Sequence, residues 1–160
     1  MRKRMISTIR KSEDEPTNEW LDLEQAALVE VTSEAEGFAI EGALLSDGQR
    51  GWRANMPGIQ TVRLLFDHPQ TIRLIRLVFK EEEVARTQEF VLRWLPHGAD
   101  AWRDIVRQQW NFSPPYMVDE CEEYNVELPS TSALELSINP DISQGSSRAS
   151  LNRLQLSVRE

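Results

Sequence analysis

The sequence predicts an all-β protein built from antiparallel strands. Three observations predict it. Apolar residues recur at every second position in most runs after residue 27. Breakers such as Asp47-Gly48, Pro57-Gly58, Pro96-His97-Gly98, Pro114-Pro115 and Asn139-Pro140 separate those runs at short intervals. Strong helical periodicity is absent. A period of two sets one side of each strand on a core and the other in water, and short strands at this spacing build a sandwich or barrel. The 160 residues, 40% hydrophobic and 28% charged, suit one domain with a sizeable core. No apolar run approaches the ~18 residues of a membrane span.

The elements follow in order. Residues 1–26 read as a flexible or loosely packed N-terminal segment, and 27–160 as the β domain. Arg2, Lys3, Arg4, Arg10 and Lys11 make the start basic, while residues 12–36 carry nine acidic residues and no Lys or Arg. A solvated terminus is the plain reading; folding back on the acidic stretch, or touching an anionic partner, is the other. Residues 19–27 suit a short helix or an extended lead-in. Strands follow around Val29 and Val31, then Val62, Leu64 and Phe66. In 71–80 the phase breaks: Ile72 and Leu74 share one parity, Ile75, Leu77 and Phe79 the other, which predicts a bulge or a strand covered on both faces. Phe90, Leu92 and Trp94, then Tyr124, Val126 and Leu128, then Leu134, Leu136 and Ile138, and last Leu154, Leu156 and Val158 alternate in the same way. Residues 143–150 read as a hairpin loop. The expected core is Val31, Leu64, Phe66, Leu77, Phe79, Phe90, Leu92, Val126, Leu136, Ile138, Leu154 and Leu156.

Charge and composition exclude whole classes of function. A net charge of -8 argues against a general nucleic-acid binder, which needs a basic surface to displace counterions. The single Cys121 leaves no internal disulfide and no Cys pair for zinc, and the first residues lack a secretory apolar stretch; a cytoplasmic protein is expected. His68 and His97 both sit in turns without a nucleophile elbow or metalloprotease spacing, and no Gly-rich phosphate loop is present. The chain is therefore read as no enzyme.

Several segments, in serial order, resemble the discoidin, or coagulation factor 5/8 type C, superfamily of galactose-binding-like domains. They are Val31-Thr32-Ser33-Glu34, Ile40-Glu41-Gly42-Ala43-Leu44, Asp47-Gly48, Gly51-Trp52-Arg53-Ala54, Pro57-Gly58-Ile59-Gln60, Val62-Arg63-Leu64-Leu65-Phe66-Asp67, Arg86-Thr87-Gln88-Glu89-Phe90 and Trp110-Asn111-Phe112-Ser113. The resemblance spans roughly residues 29–158. It implies a jelly-roll β-sandwich of about eight strands and a binding module rather than a catalyst. Extracellular discoidin domains often tie their termini with a Cys pair, which this chain lacks. Intracellular relatives, among them a DNA-repair scaffold domain and a ubiquitin-ligase subunit, act through protein contacts.

Four residues are candidates for a ligand site. Trp52, between Arg50 and Arg53, offers an indole to stack on a sugar ring and Arg53 forked donors for hydroxyls or a carboxylate. The competing reading packs Trp52 inward, the role of the equivalent Trp in much of the superfamily. Arg86 reaches a ligand at a strand entrance or pairs with Glu81, Glu82 or Glu83. Tyr116, beyond Pro114-Pro115, presents a ring on a stiffened loop, where binding costs little entropy. By the resemblance, Asp47 is the natural side-chain ligand for a structural calcium ion, whose ~6–8 oxygens would come mostly from backbone carbonyls and water. The function expected is non-catalytic carbohydrate binding by loops at one end of the jelly roll. The alternative is a cytoplasmic protein-protein interaction module on the same fold.

Overall fold

The computed structural model describes residues 20–45 and 50–158. The strands are β1 (Ala27–Val31), β2 (Trp52–Pro57), β3 (Gln60–Lys80), β4 (Arg86–Pro96), β5 (Arg103–Phe112), β6 (Asp119–Asn139), β7 (Arg148–Leu151) and β8 (Arg153–Ser157). Two single-turn helices, α1 (Leu23–Ala26) and α2 (Glu41–Leu44), precede β1 and β2. Every pairing is antiparallel. The architecture is a jelly-roll β-sandwich.

Its spine is the ribbon of β3 and β6, paired along most of their length. The ladder slips between Leu65 and Gln70, again before Ile72, and again between Ile72 and Leu74. The predicted change of phase in residues 71–80 is therefore a bulge: Ile72 lies inside on one parity, and Ile75, Leu77 and Phe79 lie inside on the other. Bending there lets the ribbon serve both layers. Its first half of β3 joins β1, and the second half of β6 joins β4, with β5 outermost; the second half of β3 joins β8. One row across the first layer is apolar throughout: Val31, Val62, Leu136, Leu92 and Val106 lie side by side. Phe79 from one half meets Phe90 from the other at 5.2 Å between ring centroids, so the layers close on a common core. Val31 and Val126 of the expected core are half-buried against it; the other expected members are buried.

The N-terminal boundary shifts. Leu21 donates its N–H to Leu156 O, Trp20 bridges Ser157, and Leu23 is buried. Residues 20–26 thus belong to the packed body, part extended and part helix, rather than to a loose segment ending at 26. Residues 1–19, with their basic cluster, lie outside the described residues.

Three strands, β2, β5 and β7, were hidden in the sequence. Residues 143–150 are not only a loop: β7 begins at Arg148 and pairs with β2, forming a two-stranded sheet with Trp52 opposite Leu151 and Arg53 opposite Ser150. Strand β5 is mostly polar and half exposed, as befits an edge, so its alternation is blurred. Among the described residues no helix is long and apolar enough to cross a membrane.

Candidate functional site

The small β2–β7 sheet has two unlike faces. Trp52, Ala54, Ala149 and Leu151 point inward and are buried; Arg53, Ser150 and Arg148 point outward. Alternation along two short strands thus builds a polar platform over an apolar floor. Close backbone approach holds the platform in place. A Cβ on Gly51 would stand 2.5 Å from Leu151 O, and one on Gly42 would stand 1.8 Å from Arg50 O.

The segment before α2 is strapped onto the same platform. Ala35 donates its N–H to Arg53 O at 2.7 Å, and Arg53 donates its own to Phe38 O at 3.2 Å. The turn from Ala35 to Phe38 passes through Gly37 at φ 81°, a conformation that favours glycine. These bonds set the half-buried Phe38 beside Arg53. The guanidinium of Arg53 lies 5.1 Å from the Phe38 ring centroid and that of Arg50 lies 5.4 Å away. Neither forms an ion pair among the described residues.

Two adjoining clefts meet at Arg53 and Ser150. A notch of about 90 Å³ is walled by Phe38, Gly51, Trp52, Arg53, Lys80, Ser150, Leu151 and Asn152. A wider cleft of about 180 Å³ is lined by Arg53, Glu81, Glu83, Val84, Ser146, Ser147, Arg148 and Ser150. Both lie toward the sandwich end marked by the Gln60–Ile138 pairing. The bend of the ribbon, with exposed His68 and His97, marks the other end. Guanidinium donors, hydroxyls and a carboxylate converge here, a donor and acceptor set matched to a polyhydroxylated ligand.

The structure corrects two of the predicted contacts. Trp52 is 1% exposed, and its Nε1 donates to Ser33 O at 2.8 Å. The ring has no free face for a sugar, because its strand parity turns it to the core. The Arg86 side chain is 1% exposed. Its Nε donates to Glu81 Oε1 at 2.7 Å, its Nη1 donates to Pro140 O at 2.6 Å, and the guanidinium covers the Phe112 ring at 4.8 Å. Every side of it is occupied, so it locks a strand entrance rather than greeting a ligand. The Glu81 carboxyl feels burial pushing it up, but the hydrogen bonds from Arg86 and from the N–H groups of Glu83 and Val84 outweigh that and hold it below its usual range.

Arg53 and Tyr116 are exposed, as a ligand contact requires. They do not meet in any of these clefts. Tyr116, 90% exposed, sits on the turn in which Ser113 and Met117 exchange backbone hydrogen bonds after a cis Pro114–Pro115 peptide. A shallow depression of about 330 Å³ nearby is lined by Gln109, Trp110, Asn111 and Met117. Asp47 lies outside the described residues. A further cleft of about 650 Å³ runs beside β8 between Trp20 and Leu45, both of which border segments outside the described residues.

Sequence reasoning missed Phe38 and Arg148. The outward parity of Arg148 and Ser150 against Ala149 and Leu151 was the available signal. Phe38 carried none, since its place depends on hydrogen bonds to a strand 15 residues away.

No family model and no curated protein matches the chain. Solved structures do. The CBM32-3 module of a family 31 glycoside hydrolase from Clostridium perfringens superposes with a TM-score of 0.61 at 13% identity, covering 89% of this chain and 97% of that one. The family 32 module of NanJ from C. perfringens, in complex with galactose, gives 0.62 at 10% identity over 86% and 97%. A pectin-binding carbohydrate-binding module gives 0.58 at 16% over 82% and 90%. At these identities the likeness is one of fold: the chain has the jelly-roll β-sandwich fold of these modules.

Proposed function

We propose that this chain is a non-catalytic carbohydrate-binding module whose site is the outward face of β2–β7 around Arg53. One observation carries the reading. Arg53 is exposed, has no carboxylate partner among the described residues, and stands where two polar clefts meet on a fold whose solved examples include sugar-binding modules. Its forked N–H groups suit paired sugar hydroxyls. Ser146, Ser147, Ser150 and Glu83 supply acceptors on the same cleft, and Phe38 supplies an apolar wall. Sugar faces are part apolar and part polar, and this platform offers both.

A glycan-array screen of the full chain, with and without calcium, tests the reading, with Arg53→Ala as the control. The calcium arm tests Asp47. A hit lost in Arg53→Ala supports a sugar site on β2–β7. A hit that survives moves the site elsewhere, the Trp110 depression first. A blank array in both conditions removes the reading and leaves the protein-interaction alternative, for which the free edge of β5 is the natural place.

A further inference from the structure

We propose that the ligand of this platform is acidic: a sugar carrying a carboxylate, whose charged group enters the notch beside Phe38 while its hydroxyls occupy the wider cleft. The proposal rests on the reading of β2–β7 as a sugar site and names the class of sugar.

The distribution of charge points there. The chain carries 26 Asp and Glu against 18 Lys and Arg, so carboxylates are in surplus. Most arginines of the sandwich use that surplus. Arg63 pairs with Glu30 and Glu135, Arg73 with Glu127, Arg76 with Glu123, Arg86 with Glu81, Arg93 with Asp104 and Arg107 with Glu89. Arg50, Arg53, Arg103 and Arg148 form no ion pair among the described residues; Arg103 stacks on Trp94 of β4, Arg50 and Arg53 stand at the start of β2, and Arg148 lies opposite Pro57 at its end.

Arg50 and Arg53 also share a single ring. Two guanidinium groups within 5.4 Å of the Phe38 centroid repel each other, and the ring quadrupole offsets that only in part. An anion in the notch meets Arg53 directly, and Arg50, on the same ring but not a wall of the notch, adds its charge at longer range. Stacking occupies the faces of the guanidinium planes and leaves their N–H edges for in-plane, bidentate contact with a carboxylate.

The notch matches such a group in sign. Its charged walls are Arg53 and Lys80, with no acid among them. Lys80 reaches Asp119 only at 3.9 Å, with both side chains about half exposed. The acids nearest by sequence or cleft are engaged or set apart. Glu34 accepts the Ile40 N–H at 2.8 Å, and Glu81 is held by Arg86. Glu36 makes no ion pair with either guanidinium, and Glu83 lines only the wider cleft, where it serves as a hydroxyl acceptor.

The test is calorimetric titration of the full chain with trigalacturonate, the same trimer methyl-esterified, and galactotriose, at low and at physiological salt. The expected result is at least tenfold tighter binding of the free acid than of its ester, a preference that shrinks with salt. Arg53→Gln should remove most of that preference and Arg50→Gln part of it, with the melting temperature unchanged. Equal affinity for acid and ester, or binding of galactotriose alone, overturns the acidic inference and leaves the sugar-site reading standing. Preference for the acid that persists in the Arg50→Gln/Arg53→Gln double variant overturns the placement in the notch. No binding of any trimer, together with a blank glycan array, overturns both.

Discussion

Truncating Trp52 separates a framework residue from a ligand contact. In Trp52→Ala an indole that is 1% exposed disappears from beneath the β2–β7 sheet. A tryptophan buries about 150–250 Å², and at ~25 cal/mol per Å² that is roughly 4–6 kcal/mol. Measured large-to-small substitutions at buried aromatics cost about 3–5 kcal/mol, so the two scales agree. For a domain of this size each kcal/mol moves the melting temperature by about 2–4 °C, giving an expected fall of roughly 6–20 °C. Trp52→Phe keeps most of the apolar contact but leaves Ser33 O without the indole N–H, and should cost about 1 kcal/mol for that bond. Urea denaturation and a thermal scan of both variants give the numbers. A melting point within 2 °C of the parent in Trp52→Ala would refute the buried placement, because no relaxation conceals the loss of a fully packed indole.

Other variants probe the remaining claims. Arg86→Met strips Glu81 of its buried partner and should cost about 3–5 kcal/mol by urea denaturation. Because the folded Glu81 carboxyl sits below its unfolded value, its contribution is complete above pH 4.5 and lost as pH falls through the folded value, a slope that Arg86→Met should flatten. Glu120 behaves oppositely: burial, then the hydrogen bond and charge of Glu122, push its carboxyl up to about 8. The folded state then holds a proton that the unfolded chain releases, so stability falls as pH rises from about 4.5 past 8; Glu120→Gln should remove that fall and raise stability at pH 9 by a few kcal/mol. Gly42→Ala drives a methyl into Arg50 O, so it should destabilise by about 1–3 kcal/mol and weaken ligand binding by displacing Arg50. Tyr116→Ala should leave stability within about 0.5 kcal/mol, and equal ligand affinity would assign that ring no part in the site.

The layers were legible because half-buried strands write their orientation into alternation. The same rule already contained the answer for Trp52. Neighbours in a strand face opposite ways, so Trp52 and Arg53 cannot both meet a ligand from one face; Ala54, sharing the parity of Trp52, marks the inner side. Arg86 obeys the rule too, since Gln88 and Phe90 on its parity are buried. What alternation lacks is long-range pairing. Nothing local says that Arg53 will lie opposite Ser150, or that Arg148 will lie opposite Pro57. The clefts exist only through those pairings and through the strap that carries Phe38, so a site made of residues 38, 53 and 148 was beyond a reading of the chain segment by segment.

Binding and folding are separable in this molecule, and the reason is geometric. The side chains that hold the β2–β7 sheet point inward, and those offered to a ligand point outward from the same strands. Trp52 fixes the floor through packing and one hydrogen bond to Ser33, while Arg53, one residue on, spends its backbone on Ala35 and Phe38 and keeps its guanidinium for the clefts. Substitutions at Arg50, Arg53 and Arg148 therefore act on affinity with little effect on stability. Changes at Trp52, Gly42 or Gly51 act on both, since each moves the floor beneath the arginines. A screen that ranks variants by melting temperature alone would find the framework and miss the site; the residues that matter for recognition are those that change binding while the thermal scan stays still.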